Sequence, residues 1–101
     1  MKLYEGKRNR GYVEVCVNGV PLNPRLDLHK HSVTGYEWGY PGSGPAQLAL
    51  ALLADHLNDD KQALARYQSF KSRVIATLPD DGWTLTSDQI DEALQAVPAK
   101  A

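Results

Sequence analysis

At 101 residues the chain has room for one hydrophobic core and not for two. Its 43% apolar content excludes wholesale disorder. A net charge of -1, from 11 Lys and Arg against 12 Asp and Glu, argues against nucleic-acid binding by bulk charge and equally against an acidic mimic of nucleic acid. The single cysteine, Cys16, excludes an intrachain disulfide and suits a reducing compartment. The opening MKLYEGKRNRG has no apolar run behind its charges, as a signal peptide would. The longest apolar segment, residues 46–54, falls far short of the roughly 20 residues that span a bilayer. The expectation is a cytoplasmic protein without membrane association.

The first elements read as β-structure. In GYVEVCVNGVPL, Val13, Val15 and Val17 alternate with Tyr12, Glu14 and Cys16, the period of a strand with two different faces. Asn18-Gly19 is a hairpin signal, because both central positions of a type I′ turn need positive φ. Pro21 cannot donate to a ladder, so the returning strand is short or lies at an edge. Residues 7–11, KRNRG, then form an exposed basic loop between the first two strands. PRLDLHKHS alternates again, with Leu26, Leu28 and Lys30 opposed to Asp27, His29 and His31, as a further strand or an extended connection. GYEW follows as a short strand before the glycine loop GYPGSGP.

Three helices come next. Pro45 suits a first helical turn, where its missing N–H costs nothing, and Gln47 can cap back toward the entry. Leu48, Leu50, Leu52, Leu53 and Leu57 leave this helix apolar on nearly every side, which predicts burial at the centre of the core. LNDD ends it and starts the second, whose Ala63, Tyr67, Phe70, Val74 and Leu78 form an amphipathic stripe up to a stop at Pro79. Arg66, Lys71 and Arg73 make the solvated face of that helix. DDG turns the chain and WTL is extended. Thr86 and Gln89 then make a capping box ahead of Ile90, Ala93, Leu94 and Val97. Strands first and helices second give an α+β fold: a small antiparallel sheet from about 1–41, and helices over about 45–97 packed on one face, within a single domain 1–101.

The candidate sites are few. Gly42, Ser43 and Gly44 opening a helix at Pro45 place free backbone N–H groups at a positive dipole end, a possible anion cradle. The motif is neither a Walker A loop nor a dinucleotide fingerprint. The competing architectural reading is that the two glycines turn the chain while Ser43 or Gly44 caps the helix. Tyr36, Trp38 and Tyr40 share one side of their strand, as core residues or as anchors for a partner. Asp27, His29 and His31 offer three metal-ligand types, with no supporting Cys or His at a useful spacing and His56 on a helix. A Ser-His-Glu reading from His31, Ser32, Ser43 and Glu37 lacks any strained nucleophile elbow. Three cations on the 7–10 loop support only weak, salt-sensitive nucleic-acid contact.

HSVTGYEWGYPGSGPAQLALALLADHL resembles the signature of an uncharacterised family of small bacterial and phage proteins, often encoded on prophages. The matching positions are His31, Ser32, Gly35, Tyr36, Trp38, Gly39, Tyr40, Gly42, Ser43, Gly44, Pro45, Gln47 and Leu48. Weaker similarity extends through MKLYEG, NGVPL, RYQSFK and GWTLTSDQI. Val33 departs from the pattern, which has proline after the serine. The resemblance implies a genomic setting and no cofactor or catalytic residue. By analogy with other small phage proteins it implies a non-enzymatic protein that binds a host protein or complex, an inhibitor of a defence system such as CRISPR-Cas being one such class. The expected binding residues are His31, Tyr36, Trp38, Tyr40, Gly42, Ser43, Gly44 and Gln47, with no oligomeric state implied. The alternative is a small-molecule or nucleotide-binding module that uses the glycine loop.

Overall fold

The computed structural model describes residues 2–33 and 35–96. Strand β1 (Leu3–Asn9) pairs antiparallel with β2 (Tyr12–Val17), Asn9 lying opposite Tyr12. Their connection is the two residues Arg10 and Gly11, at φ 52° and 83°. That is the positive-φ turn whose twist matches its flanking strands. The expected basic loop over residues 7–11 therefore contracts to its last two residues, and Lys7, Arg8 and Asn9 belong to the strand. Asn18 and Gly19, at φ 49° and 81°, make the predicted second turn. The chain then returns as β3 (Val20–Pro21), a two-residue edge strand.

One strand arrives from beyond the helices. β4 (Gly82–Thr86) contains the extended WTL and pairs antiparallel with the free side of β1, giving the sheet order β3-β2-β1-β4. The sheet thus recruits residues well past the predicted limit near residue 41. Tyr4, Gly6 and Arg8 share its inner face with their cross-strand neighbours Val17, Val15 and Val13 and, on the other side, with Leu85 and Trp83. A Cβ at Gly6 would run into the Trp83 indole, so glycine at this strand position lets the large ring lie flat over the sheet. Lys7, Glu14 and Thr84 point from the opposite face into solvent.

Helix α1 (Ser43–Leu57) lies against the inner face, where Tyr4 Oη donates to Asp55 at 2.7 Å. Every residue from Gly44 to Ala54 is buried, as expected of a helix apolar all round. Asn58, left-handed at φ 50°, ends α1, and Asp59 caps α2 (Asp60–Arg73) by accepting from Gln62 N. The stripe Ala63, Tyr67 and Phe70 is buried against α1. The helix stops at Arg73, earlier than the predicted stop at Pro79, and a 3-10 turn (Ile75–Thr77) carries the stripe onward. Pro79 acts one residue upstream, holding Leu78 extended at ψ 146°.

The predicted capping box forms in α3 (Ser87–Gln95), with Thr86 and Gln89 each bonding the other's backbone. Ile90 and Leu94 are buried, while Val97, expected on the same stripe, lies outside the described residues. Arg66 is not merely solvated: its guanidinium donates to Leu94 O at 2.9 Å, placing a cation near the carbonyl end of α3. Among the described residues between Pro21 and Ser43 there is no helix or strand, so the segment GYEW is irregular rather than the expected short strand.

Leu50 and Leu53 are fully buried. Truncating Leu53 to Ala removes apolar area and leaves a cavity in a helix that cannot collapse without moving α2. The expected loss is about 2–5 kcal/mol, read as a lower urea midpoint with an unchanged slope.

Candidate functional site

The irregular segment 22–42 is held from inside by one side chain. Gln47 is fully buried. Its Oε1 accepts from His31 N at 2.8 Å and Ser32 N at 3.1 Å, and its Nε2 donates to Pro24 O at 2.6 Å and His29 O at 3.1 Å. Both donors and both acceptor positions of the amide are used. Gln47 therefore does not cap the entry of α1 as expected; it substitutes for the ladder that this segment lacks.

A second anchor fixes the aromatic part. Arg8 grips Glu37 with two parallel bonds of 3.0 and 2.8 Å, donates through Nε to Asp80 O at 2.9 Å, and lies 4.6 Å from the centroid of Trp38. The guanidinium holds the Glu37 carboxyl below the usual carboxylate range. Trp38, 1% exposed, donates to Pro79 O and Asp80 O and meets Trp83 edge to face at 5.7 Å. Arg8 is thus an internal latch, not one of three free cations for phosphate.

Tyr36, Trp38 and Tyr40 do not share a face. Gly39, at φ 86° with its N–H bonded to Ile75 O, reverses the local backbone between Trp38 and Tyr40. Trp38 goes into the core. Tyr36 is half-buried and donates to Leu22 O at 2.7 Å, its phenol raised well above the ordinary range by burial. Tyr40 remains exposed.

Gly42 and Gly44 work by close approach rather than by positive φ. Gly42 is the N-cap of α1 at φ 175°, an extended conformation open to any residue, and no side chain caps the helix. Neither Ser43 nor Gly44 is the cap, since both lie inside the first turn. A Cβ on Gly42 would meet the Tyr40 ring at 2.8 Å, and one on Gly44 would meet Glu37 Cβ at 2.6 Å. The glycines allow α1 to start directly against the latched segment.

These elements leave a groove of about 420 Å³. Gly11, Tyr12 and Val13 of the hairpin form one wall, and Tyr36, Glu37, Tyr40, Ser43 and Gly44 the other, with Ser32 and Gly35 between them. Of the expected binding residues, the groove gathers Tyr36, Tyr40, Ser43 and Gly44. Trp38 and Gln47 are inside the core, and Gly42 abuts Tyr40. His31 is turned to α2, its Nε2 2.7 Å from Tyr67 Oη. Tyr12 is the residue that the sequence reading passed over; it is 80% exposed. An aromatic next to a two-residue turn, on the solvent side of a valine strand, was the available signal.

Asp27, His29 and His31 do not converge on a metal position. The two imidazoles stack at 4.0 Å, and Asp27 pairs with Arg25, which also holds Asp60. Among the described residues no cluster of three or more His, Cys, Asp or Glu is placed to hold a metal. Ser32 Oγ is committed to Gly35 O, and His56 to Asp91 at 2.6 Å. A second depression of about 510 Å³ lies between Lys2, Arg25, Asp55 and the end of α1, where both cations are already paired with carboxylates.

Residues 4–96 match the model of a family of unknown function (DUF6166). No curated protein and no solved structure matches the chain. No helix among the described residues is long and apolar enough to cross a membrane.

Replacing Gln47 by Met keeps the volume and strands four loop backbone groups. It should cost roughly 3 kcal/mol or more, with loss of amide-exchange protection at His31 and Ser32. Gly44→Ala should destabilise by roughly 1–3 kcal/mol through its clash with Glu37, whereas Ser43→Ala, removing no cap, should change stability by less than about 0.5 kcal/mol. Denaturant midpoints of the two variants separate these outcomes.

His31 supplies a pH dependence. Burial first, then His29 and Lys71, lowers its pKa below the ordinary value of 6.5. The unfolded chain then binds a proton that the native state refuses. Stability should be complete above about pH 6.5 and decline as pH falls from there toward the lowered native value. Urea midpoints measured across that window should show the decline in the native chain and a shallower one in His31→Gln.

Proposed function

This chain belongs to the DUF6166 family, and we propose that it is a non-enzymatic accessory protein of phage or mobile elements that acts by binding a host protein or complex, as an inhibitor of a bacterial defence system such as CRISPR-Cas would. The observation that carries the reading is where the two exposed aromatic side chains of the described residues lie. Tyr12 and Tyr40 line the groove, and Val33, 69% exposed, lies in the chain between the groove residues Ser32 and Gly35. Exposed aromatics rimming a concave surface are the residues that anchor protein partners. The polar groups that a catalytic reading would draw on have structural duties: Glu37 answers Arg8, His31 answers Tyr67, and Ser32 closes its own turn.

The nucleotide-binding reading has one observation in its favour, the uncapped first turn of α1 at Ser43 and Gly44 on the groove wall. It ranks second because Glu37 lines the same groove and Arg8 is already bonded to it.

Affinity capture from a bacterial host lysate with the native chain and with the double variant Tyr12→Ser, Tyr40→Ser tests the proposal. The expected result is a stoichiometric partner held by the native chain and at least about tenfold weaker on the variant, both proteins having the same melting temperature. Equal capture by both, or a thermal shift with nucleotides and none with protein, would overturn it.

A further inference from the structure

The hairpin wall of the groove is a sheet edge left without a neighbour. Asn18 N donates to Leu3 O at 2.8 Å, so odd residues of β1 bond to even residues of β2 throughout the ladder. On the far side, Val15 O accepts from Leu22 N at 3.0 Å, which confirms that odd residues of β2 face outward. Val13 therefore directs both its N–H and its C=O away from β1. β3 reaches only Cys16 and Val17 and leaves that pair unmatched, and no described residue bonds to it. Val13 lines the groove directly.

We propose that the groove receives an extended acidic peptide segment of the partner protein, which adds to β2 as a further strand at Val13. The inference rests on the partner-binding reading above and specifies its mode. A donor and an acceptor from one residue, side by side on a sheet edge, are matched by backbone in β conformation and not by a helix, whose own groups are internally bonded. The opposite wall, Tyr36 to Gly44, closes the groove to about 420 Å³. A strand added there would lie about 4.8 Å from β2.

Charge selects the sequence of the strand. Glu37, the acidic residue on the Tyr36–Gly44 wall, is held by the bidentate bonds of Arg8. Arg10 stands beside Gly11 at the hairpin tip, exposed and, among the described residues, in no ion pair. The first turn of α1 carries no acidic residue. Arg8 also faces Asp80, so its charge is answered twice, and Arg10 at the hairpin tip is the cation that carboxylate side chains on the incoming strand complement. Tyr12 and Tyr40 flank the peptide with aromatic surface for its alternate side chains.

Selection of displayed random peptides on the full chain, followed by NMR titration with the enriched synthetic peptide, tests this. The expected result is enrichment of Asp and Glu among β-branched residues, slowing of Val13 amide exchange by about tenfold or more on binding, and at least about tenfold weaker binding to Arg10→Glu. The proposal is overturned by failure to enrich any peptide, by a bound peptide that leaves Val13 exchange unchanged, or by equal affinity for Arg10→Glu. Self-association that protects Val13 without added peptide also overturns it, in favour of pairing between two copies. A host partner that is lost in the Tyr12, Tyr40 variant yet leaves Val13 exchanging freely sinks the strand mode while sparing the partner reading.

Discussion

Everything around the groove depends on one buried amide. The described residues of segment 22–42 form no helix or strand, and backbone groups covered in such a segment need partners that secondary structure does not provide. Gln47 supplies four of them from a single position in the second turn of α1, the most buried helix of the fold. A carboxylate there could accept but not donate, and a leucine could do neither. This is a polar network in which every atom is satisfied, the only form in which a buried polar group specifies a structure rather than weakening it. Because α1 is itself immobilised by leucines packed on all sides, the segment inherits the rigidity of the core.

The Arg8–Glu37 pair repeats that arrangement from the sheet. Arg8 lies on the inner face of β1, where an unpaired guanidinium would be costly, and its planar fork suits the carboxylate of Glu37 and the face of Trp38 together. Its Nε also binds Asp80 O, so the turn leading into β4 is tied to the same group. One side chain therefore joins the first hairpin, the irregular segment and the return to the sheet. Trp38 completes the junction by donating to Pro79 and Asp80 while its ring meets Trp83 on β4.

How much of this was legible in the sequence follows from the range of each interaction. Asn18-Gly19 and the Thr86–Gln89 capping box are local: a few consecutive residues contain both partners, and each formed as read. The all-round apolar α1 was equally plain, since burial is encoded in its own composition. The misreadings share a different cause. KRNRG looked like a solvated loop because the partner of Arg8 is Glu37, far along the chain. GYEW looked like a strand because its aromatics alternate, but Gly39 breaks the period with a positive φ that serves a bond to Ile75. WTL was read as extended without its place in the sheet, because its partner β1 lies at the opposite end of the chain. Gln47 and His31, both expected among the binding residues, are joined by a hydrogen bond that serves the fold.

The groove itself results from these long-range ties. The hairpin tip is set by the turn at Arg10 and Gly11, and the opposite wall by the latch on Glu37 and the close start of α1 at Gly44. Neither wall contains the instruction for the gap between them. Had the ladder continued past Leu22 it would have covered Val13, and the residue that this register puts opposite Val13 is Pro24, which has no N–H to donate. Had Gly44 carried a side chain, its Cβ would have run into Glu37, the partner of Arg8. An open edge opposite a rigid aromatic wall is thus produced by one residue that stops a strand and another that admits a helix. Both choices lie outside the groove's own exposed aromatics, which can change to suit a partner without altering the frame that presents them.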